Sequence, residues 1–266
     1  MKTKMMGVIN VTPDSFYSGS RTATTKQAVE KALQMASDGA DIIDIGGEST
    51  RPGSRGITAE EERKQVVPVI SALEGRTNAR ISIDTYKPEV AQAAVDVGAT
   101  IINDIYGGAS PELLKLAADN DLEYIIMQMQ GTPATMQQNP TYNNVVNEIL
   151  AFFRERIAKA EEAGIKPAKI IIDPGIGFGK TTQHNIDILT NIDAFKAVKK
   201  RVMIGASRKS FIGRIIRTEE DPLPAEERLA GSIAVATYCA LKGVDILRVH
   251  DVKETVQAAK IMGRFL

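Results

Sequence analysis

The chain has 266 residues, with Lys+Arg and Asp+Glu both at 33, so no global field draws it to nucleic acid or to an anionic membrane. That length suits one large α/β domain or two small ones. No apolar run reaches the ~18 residues needed to span a bilayer. The start, Met1 to Gly7, runs straight into a strand-like segment without the apolar core of a signal peptide. The single cysteine, Cys239, excludes an intramolecular disulfide and sits in a helical pattern, which reads as a buried inert thiol rather than a nucleophile. A reducing cytoplasm fits these features best.

Short apolar runs recur about every 20 to 45 residues. The first, Met6 to Asn10, is followed by a long stretch rich in Gly, Ser and Pro (11–23) and an amphipathic pattern over Thr25 to Ser37. Ile42 to Gly46 leads into a second such stretch (48–56), then a helical pattern from Ala59 to Leu73. Arg80 to Asp84, Thr100 to Asn103 and Tyr124 to Met127 read as strands three to five, with a helix over Val145 to Ala163. Ile170 to Asp173 is a β-branched run of the kind buried on both faces. It stops at a carboxylate, and Pro174 with the alternating Gly175, Gly177 and Gly179 forbids both more strand and an immediate helix. A phosphate-binding loop ending at Gly179-Lys180-Thr181 needs glycine where Pro174 stands, and a dinucleotide fingerprint from Gly175 needs glycine where Lys180 stands; neither fits. Val202 to Gly205, a helix over Ala225 to Leu241, Asp245 to Arg248 and a last helix from Lys253 to Phe265 complete the chain. Eight strands alternating with helices predict an α/β fold, a (β/α)8 TIM barrel in a single domain over residues 1–266. The rival, a doubly wound sheet, usually has fewer strands in a chain this long.

Polar residues close every predicted strand: Asn10, Glu48, Asp84, Asn103-Asp104, Gln128, Asp173, Ser207-Arg208-Lys209 and Arg248-Val249-His250. One strand-end Asp or Asn can simply cap the next helix. Eight polar ends that converge on the carboxyl rim, where such barrels hold their active sites, are hard to explain by capping alone. Asp84, Asn103 and Asp173 offer acceptors plus an amide without a His or Cys cluster beside them, which suits a flat, amine-bearing heterocycle such as a purine or pterin. Lys209, Arg248 and His250, joined by Arg51, suit a phosphate or pyrophosphate. Asn10 offers one oxygen to a Mg2+ that would bridge phosphate oxygens. The two long Gly/Ser/Pro stretches read as active-site lids or as ordinary surface loops. His184, near a helix start, reads as solvated, and the charge run Glu60 to Lys64 as a helix's wet face.

In order along the chain, Asn10-Val-Thr-Pro-Asp-Ser-Phe16, Gly46-Gly-Glu-Ser-Thr-Arg-Pro-Gly53, Ser82-Ile-Asp-Thr85, Ile102-Asn-Asp-Ile105, Asp173-Pro-Gly-Ile-Gly-Phe-Gly-Lys180, Ser207-Arg-Lys-Ser-Phe-Ile-Gly213 and Arg248-Val-His-Asp251 resemble the successive motifs of dihydropteroate synthase. The resemblance covers essentially the whole chain. It implies a TIM-barrel transferase of folate biosynthesis, a sulfonamide target and a homodimer. Such an enzyme joins 6-hydroxymethyl-7,8-dihydropterin diphosphate to 4-aminobenzoate with release of pyrophosphate, using Mg2+. By the same resemblance Asp84, Asn103, Asp173 and Lys209 hold the pterin ring, Arg248 and His250 the diphosphate, and Asn10 lies at or near the metal. Thr50, Arg51, Pro52, Phe178 and Ser210 shape the aminobenzoate site, with Lys209, Asp173 and Arg51 as the catalytic group. The dimer surface is expected on the last helix and the helix before strand eight.

Two departures stand out. The family pattern has Met-His-Met after the fifth strand, where this chain has Met127-Gln128-Met129, so proton transfer at that position is not expected. Past Phe16 the family commonly continues Ser-Asp-Gly-Gly, and here Tyr17-Ser18-Gly19-Ser20-Arg21 follows. These changes are the support for one rival, a paralogue that binds a pterin without turnover. The other rival, a pterin-binding methyltransferase domain, has no need of the cationic group formed by Lys209, Arg248 and His250.

Overall fold

The computed structural model describes residues 3–11, 21–50, 53–54 and 56–265, with the helix that starts at Arg21 described by its backbone alone over 21–24. Eight strands, β1 (Lys4–Asn10), β2 (Ile42–Gly46), β3 (Arg80–Asp84), β4 (Ile101–Asp104), β5 (Glu123–Met127), β6 (Ile170–Asp173), β7 (Arg201–Ile204) and β8 (Ile246–Val249), close into a barrel in chain order. Every neighbouring pair is parallel, including β8 back to β1. The helices are α1 (Arg21–Ser37), α2 (Ala59–Leu73), α3 (Pro88–Val95), α4 (Pro111–Asp119), α5 (Val145–Glu162), α6 (Thr182–Thr190), α7 (Ile192–Lys196), α8 (Ser210–Ile216), α9 (Leu229–Leu241) and α10 (Val252–Met262). The predicted (β/α)8 barrel is the observed one. Predicted strand limits fall within two residues of the observed ones. The pattern over Ala225 to Leu241 divides: 225–227 form a short 3-10 turn, and α9 begins only at Leu229.

The two-residue period of each strand sorts its side chains between the barrel's inside and the ring of helices. At the amino-terminal mouth Glu123 pairs with Arg80 and Arg201 at 2.8 and 2.9 Å, one acid between two guanidiniums. Above it Met6, Ile42, Ile101, Ile125, Ile171, Met203 and Ile246 form a separate apolar plug, which makes the barrel a packed core rather than a pore. Two residues further along, the same inward rows carry Asp44, Asn103, Asp173 and Arg248. The interior therefore changes from apolar to polar on moving towards the carboxyl ends. Outward-facing Ile9, Ile43, Ile45, Ile83, Ile126, Ile172 and Ile204 pack against Val69, Ile70, Leu113, Ile149, Phe153 and Phe195 of the helices in the main core.

Helix starts follow their sequence signals. Thr58 and Glu61 form a reciprocal capping box on α2, and Ser110 caps α4 just before Pro111. Thr181 and His184 do the same for α6, with Thr181 Oγ1 accepting from the His184 N–H at 3.1 Å. His184 is thus a half-buried cap that meets the Tyr142 ring edge-on at 5.1 Å, not a solvated side chain. The charge run in α2 is likewise not uniformly wet: Glu62 is buried, with Lys87 Nζ 2.5 Å from its carboxylate. Cys239 is buried as expected, and burial pushes its thiol up to about 12.

Candidate active site

The floor of the barrel mouth is a charged layer. Arg248, inward on β8, donates Nε to Asp44 Oδ2 and Nη2 to Asp84 Oδ2, both at 2.6 Å. Asn103 Nδ2 donates to the same Asp44 oxygen at 3.1 Å. Asp173 closes the layer from β6, with Oδ1 accepting the Gly175 N–H at 2.8 Å. Gly205, the next inward position on β7, would place a Cβ in ordinary contact with Arg248, so glycine there leaves the cavity open beside the guanidinium. The ring-side acids and the phosphate-side cation do not form the two separate subsets that charge sorting suggested. They are interlocked through Arg248.

Burial governs the titration of this layer. It pushes Asp84 up to about 7, against Arg248, and the neighbouring Asp44 pushes the same way. Two carboxylates here share one guanidinium, and arginine keeps its proton, so the surplus carboxylate is what takes one up. Burial raises Asp173 too, opposed by Lys209 and the Gly175 N–H. For Arg248, burial alone lowers the pKa, but Asp44 and Asp84 outweigh it and the net shift is upward.

One wall comes from the loop after β6. Gly175, Gly177 and Gly179 have φ of +68°, +79° and +61°, a conformation that glycine adopts without strain. A Cβ on Gly175 would lie 1.9 Å from the Gln128 carbonyl oxygen, and one on Gly179 would lie 2.5 Å from that of Gln130. The glycines thus let this loop lie directly on the segment after β5. Lys180, buried, holds it there: Nζ donates to Gln128 Oε1 at 2.6 Å and to the Phe178 carbonyl at 2.9 Å. The loop presents Phe178 to Lys209, whose Nζ lies 4.4 Å from the ring centroid and donates to the Ile176 carbonyl. Burial brings both Lys180 and Lys209 down to about 7, with Asp173 pulling the other way. Phe178 also belongs to an apolar rim cluster with Ile105, Met127 and Met136. Polar floor and apolar wall meet at Lys209.

The adjoining side is built by the ends of β7 and β8. Arg208, at φ +56°, forks onto Asp251 with two contacts of 2.8 Å, tying the residue before Lys209 to the residue after His250. His250 shares a 3.1 Å contact with Ser207 Oγ, and burial, then Arg248, lowers its imidazole to about 4. Ser210 opens α8, half-buried beside Lys209. In the loop after β2, Thr50 is half-buried, while Arg51 and Pro52 lie outside the described residues, as do 12–20 of the first loop. Glu48 belongs to that loop's anchor: it accepts from Lys87 Nζ at 2.5 Å and from Tyr86 Oη at 3.1 Å. Asp104 is also structural, since it accepts from Tyr124 Oη, Tyr106 N and Gly108 N at 2.7–2.8 Å on the helix side of β4. Asn10 ends β1 beside Gly46, and its amide has no hydrogen-bond partner among the described residues. Reasoning from sequence missed Asp44 and gave Lys180 no role. Asp44 was detectable two residues before Gly46, on the row that faces inward.

This is the site of a barrel enzyme that presents acceptors and cations to one buried polar ligand. The profile of the pterin binding enzyme family matches residues 6–250. The dihydropteroate synthase of Escherichia coli strain K12 is 45% identical over 258 residues, covering 97% of this chain and 90% of its own. The dihydropteroate synthase of Yersinia pestis, solved in a sulfonamide drug complex, superposes with a TM-score of 0.92 at 40% identity, covering 99% of this chain and 94% of the other. That of Xanthomonas albilineans, solved with 4-aminobenzoic acid, gives 0.92 at 41% identity, covering 99% and 93%. The chain belongs to the pterin-binding enzymes and, within them, to the dihydropteroate synthase family of transferases.

Proposed function

We propose that the chain condenses 6-hydroxymethyl-7,8-dihydropterin diphosphate with 4-aminobenzoate, yielding 7,8-dihydropteroate and pyrophosphate, in a Mg2+-dependent reaction of the cytoplasm that sulfonamides inhibit. The observation that carries it is the single layer, partly open at the mouth, in which Asp84 and the buried Asn103 and Asp173 lie with Arg248 and Lys209. Carboxylates take the N–H pairs of the ring, and the amide takes a further edge. Phe178 and the Lys209 stem form the wall on which an arylamine stacks, with Thr50 and Ser210 as further contacts and Arg51 and Pro52 assigned to it by the family motif alone.

In this reading the C–O bond to the diphosphate breaks as its charge moves onto the leaving oxygens, where Arg248, His250 and Arg51 stabilise it. Asp84 and Asp173 hold the ring as positive charge spreads through it. The arylamine nitrogen then attacks the exocyclic carbon and loses a proton. Lys209, brought near neutrality by burial, is placed to orient the aminobenzoate and to take that proton. No covalent intermediate is needed, because the arylamine itself attacks the exocyclic carbon.

Among the described residues no group of three His, Cys, Asp or Glu side chains forms a cage for a metal. A hard cation that keeps waters and phosphate oxygens needs only one or two protein ligands, and the Asn10 amide, without a hydrogen-bond partner among the described residues, fits that demand. Bound there, Mg2+ would supply positive charge to the departing diphosphate. We also read the chain as a homodimer: Ile215 and Ile216 of α8, Tyr238 and Leu241 of α9, and Ile261 and Phe265 at the end of α10 are exposed large apolar side chains. Ile261→Glu with Phe265→Glu is expected to give a monomer in sedimentation.

The deciding experiment measures pyrophosphate release from purified protein given the pterin diphosphate and Mg2+, with and without 4-aminobenzoate. Release that yields dihydropteroate and slows with a sulfonamide supports the reading. Tight pterin binding without release favours an inactive paralogue.

A further inference from the structure

Asp44 is fully buried and lies one strand step below the rim acid: it registers with Ser82, whereas Gly46 registers with Asp84. Its Oδ2 receives Arg248 Nε at 2.6 Å and Asn103 Nδ2 at 3.1 Å, while its Oδ1 has no partner among the described residues. Arg248 is therefore gripped at two depths, by Asp44 below and by Asp84 at the ligand level.

We propose that Asp44 is the hinge of Arg248: a pterin ring displaces the guanidinium Nη2 from Asp84 while Nε stays on Asp44, and the freed end turns to the diphosphate. The proposal rests on the assignment of Asp84 to the ring. A ring edge with paired N–H donors spans both oxygens of a carboxylate, so Arg248 on Asp84 Oδ2 competes directly with it. The displaced guanidinium cannot shed its proton and needs another anion within reach. Asp44 lies below the ligand and keeps the side chain from leaving the barrel, and on the open, ligand-facing side the new partner of the freed end is a phosphate oxygen. Reciprocity follows: a diphosphate that draws Arg248 upward uncovers Asp84 for the ring. Asp44 also fixes the nitrogen side of the Asn103 amide, which leaves its oxygen for the ligand. It is a positioning residue and touches no substrate atom.

Calorimetric titration tests this in Mg2+ buffer, with inorganic pyrophosphate as one probe and 6-hydroxymethylpterin without a diphosphate as the other. In the wild-type protein, saturating pterin is expected to tighten pyrophosphate binding by roughly 10-fold, and pyrophosphate to tighten pterin by the same factor. Asp44→Asn should bind both probes with the factor reduced to below about twofold. Asp84→Asn should bind pyrophosphate at the tightened level without pterin, and it keeps the proposal testable if Asp44→Asn does not fold. Independent binding of the two probes to the wild type, or an undiminished factor in Asp44→Asn, overturns the hinge. A wild type that binds pyrophosphate and no pterin overturns the ring assignment itself, and the hinge with it.

Discussion

Lys180 and Gln128 meet inside the protein at 2.6 Å, ammonium to amide oxygen, while the same amide donates its nitrogen to Tyr142 Oη at 3.2 Å. Gln128 is therefore an acceptor that holds the loop after β6, and through it Phe178 and Lys209, in place. A neutral histidine reproduces this, with one ring nitrogen accepting from Lys180 and the other donating to Tyr142; a protonated histidine has no acceptor left. Gln128→His is thus expected to match the parent enzyme above about pH 7 and to lose activity progressively below about 6.5, where imidazolium faces the Lys180 ammonium. The ratio of the two pH–rate profiles measures this. Parallel profiles would show that residue 128 does not hold Lys180.

Lys87 bridges Glu48 in the loop after β2 and Glu62 in α2, at 2.5 Å to each. Lys87→Met takes the cation from two carboxylates, of which Glu48 keeps the Tyr86 hydroxyl while Glu62 is buried with its Oε1 already unpartnered among the described residues. Removing one member of a buried ion pair costs about 3–5 kcal/mol. Glu48 is continuous with Thr50, so the KM for aminobenzoate should also rise more than that for the pterin substrate. Glu60→Gln, on the wet face of the same helix, serves as the control and should leave urea unfolding unchanged. If Lys87→Met is as stable as the control, the triad is no anchor.

The barrel was legible because eight apolar runs with intervening 3.6-period patterns leave few alternatives, and because each run ends in a polar residue. Asp84, Asn103, Asp173, Lys209 and Arg248 stood out for the same reason: their strands or turns stop there. Asp44 did not stand out, because it lies within an apolar strand and its role depends on β8, some 200 residues away (|i−j| of 204 to Arg248). Glu62 was misread because α2 periodicity cannot reveal a lysine arriving from the start of α3. His184 was misread because its partner ring, Tyr142, comes from another loop. Local pattern fixes which face a residue takes; only closure of the barrel decides which charges meet.

Arg208 adopts φ +56° and offsets the strain of that backbone with its fork on Asp251. The flanking positions Lys209 and His250 are the ones with proposed substrate contacts. Asp251→Asn removes the carboxylate charge and one of the fork's two acceptors and should weaken both contacts together, raising the KM for the pterin diphosphate by roughly 10-fold, about 1.4 kcal/mol. Arg208→Lys, a point charge without the fork, should behave similarly. An unchanged KM in both variants, measured by steady-state kinetics, would show that Lys209 and His250 are held by other contacts.

Asp84, Lys180 and Lys209 together should give ligand-free stability a minimum near neutral pH, while His250, lowered to about 4, works against the Asp84 limb between about 4 and 6.5. Asp84, at about 7 in the fold, titrates near 3.9 when unfolded. Between those values the folded state binds more protons, so this group makes stability fall as pH rises from about 4 to 7. Lys180 and Lys209, at about 7 in the fold, titrate near 10.4 when unfolded. Between about 7 and 10 the unfolded state binds more protons, so these groups make stability rise with pH. Asp84→Asn should flatten the acid limb relative to the parent protein, and Lys180→Met the alkaline limb. Each effect amounts to a few kcal/mol at most, since a tenfold change in proton affinity is worth about 1.4 kcal/mol. Urea unfolding at pH 5, 7 and 9 measures both limbs. Because a ring N–H pair prefers the ionised carboxylate, pterin binding near pH 6.5 should also release protons, seen as a buffer-dependent binding enthalpy that Asp84→Asn abolishes. A buffer-independent enthalpy in the parent protein would place the ring elsewhere than on Asp84.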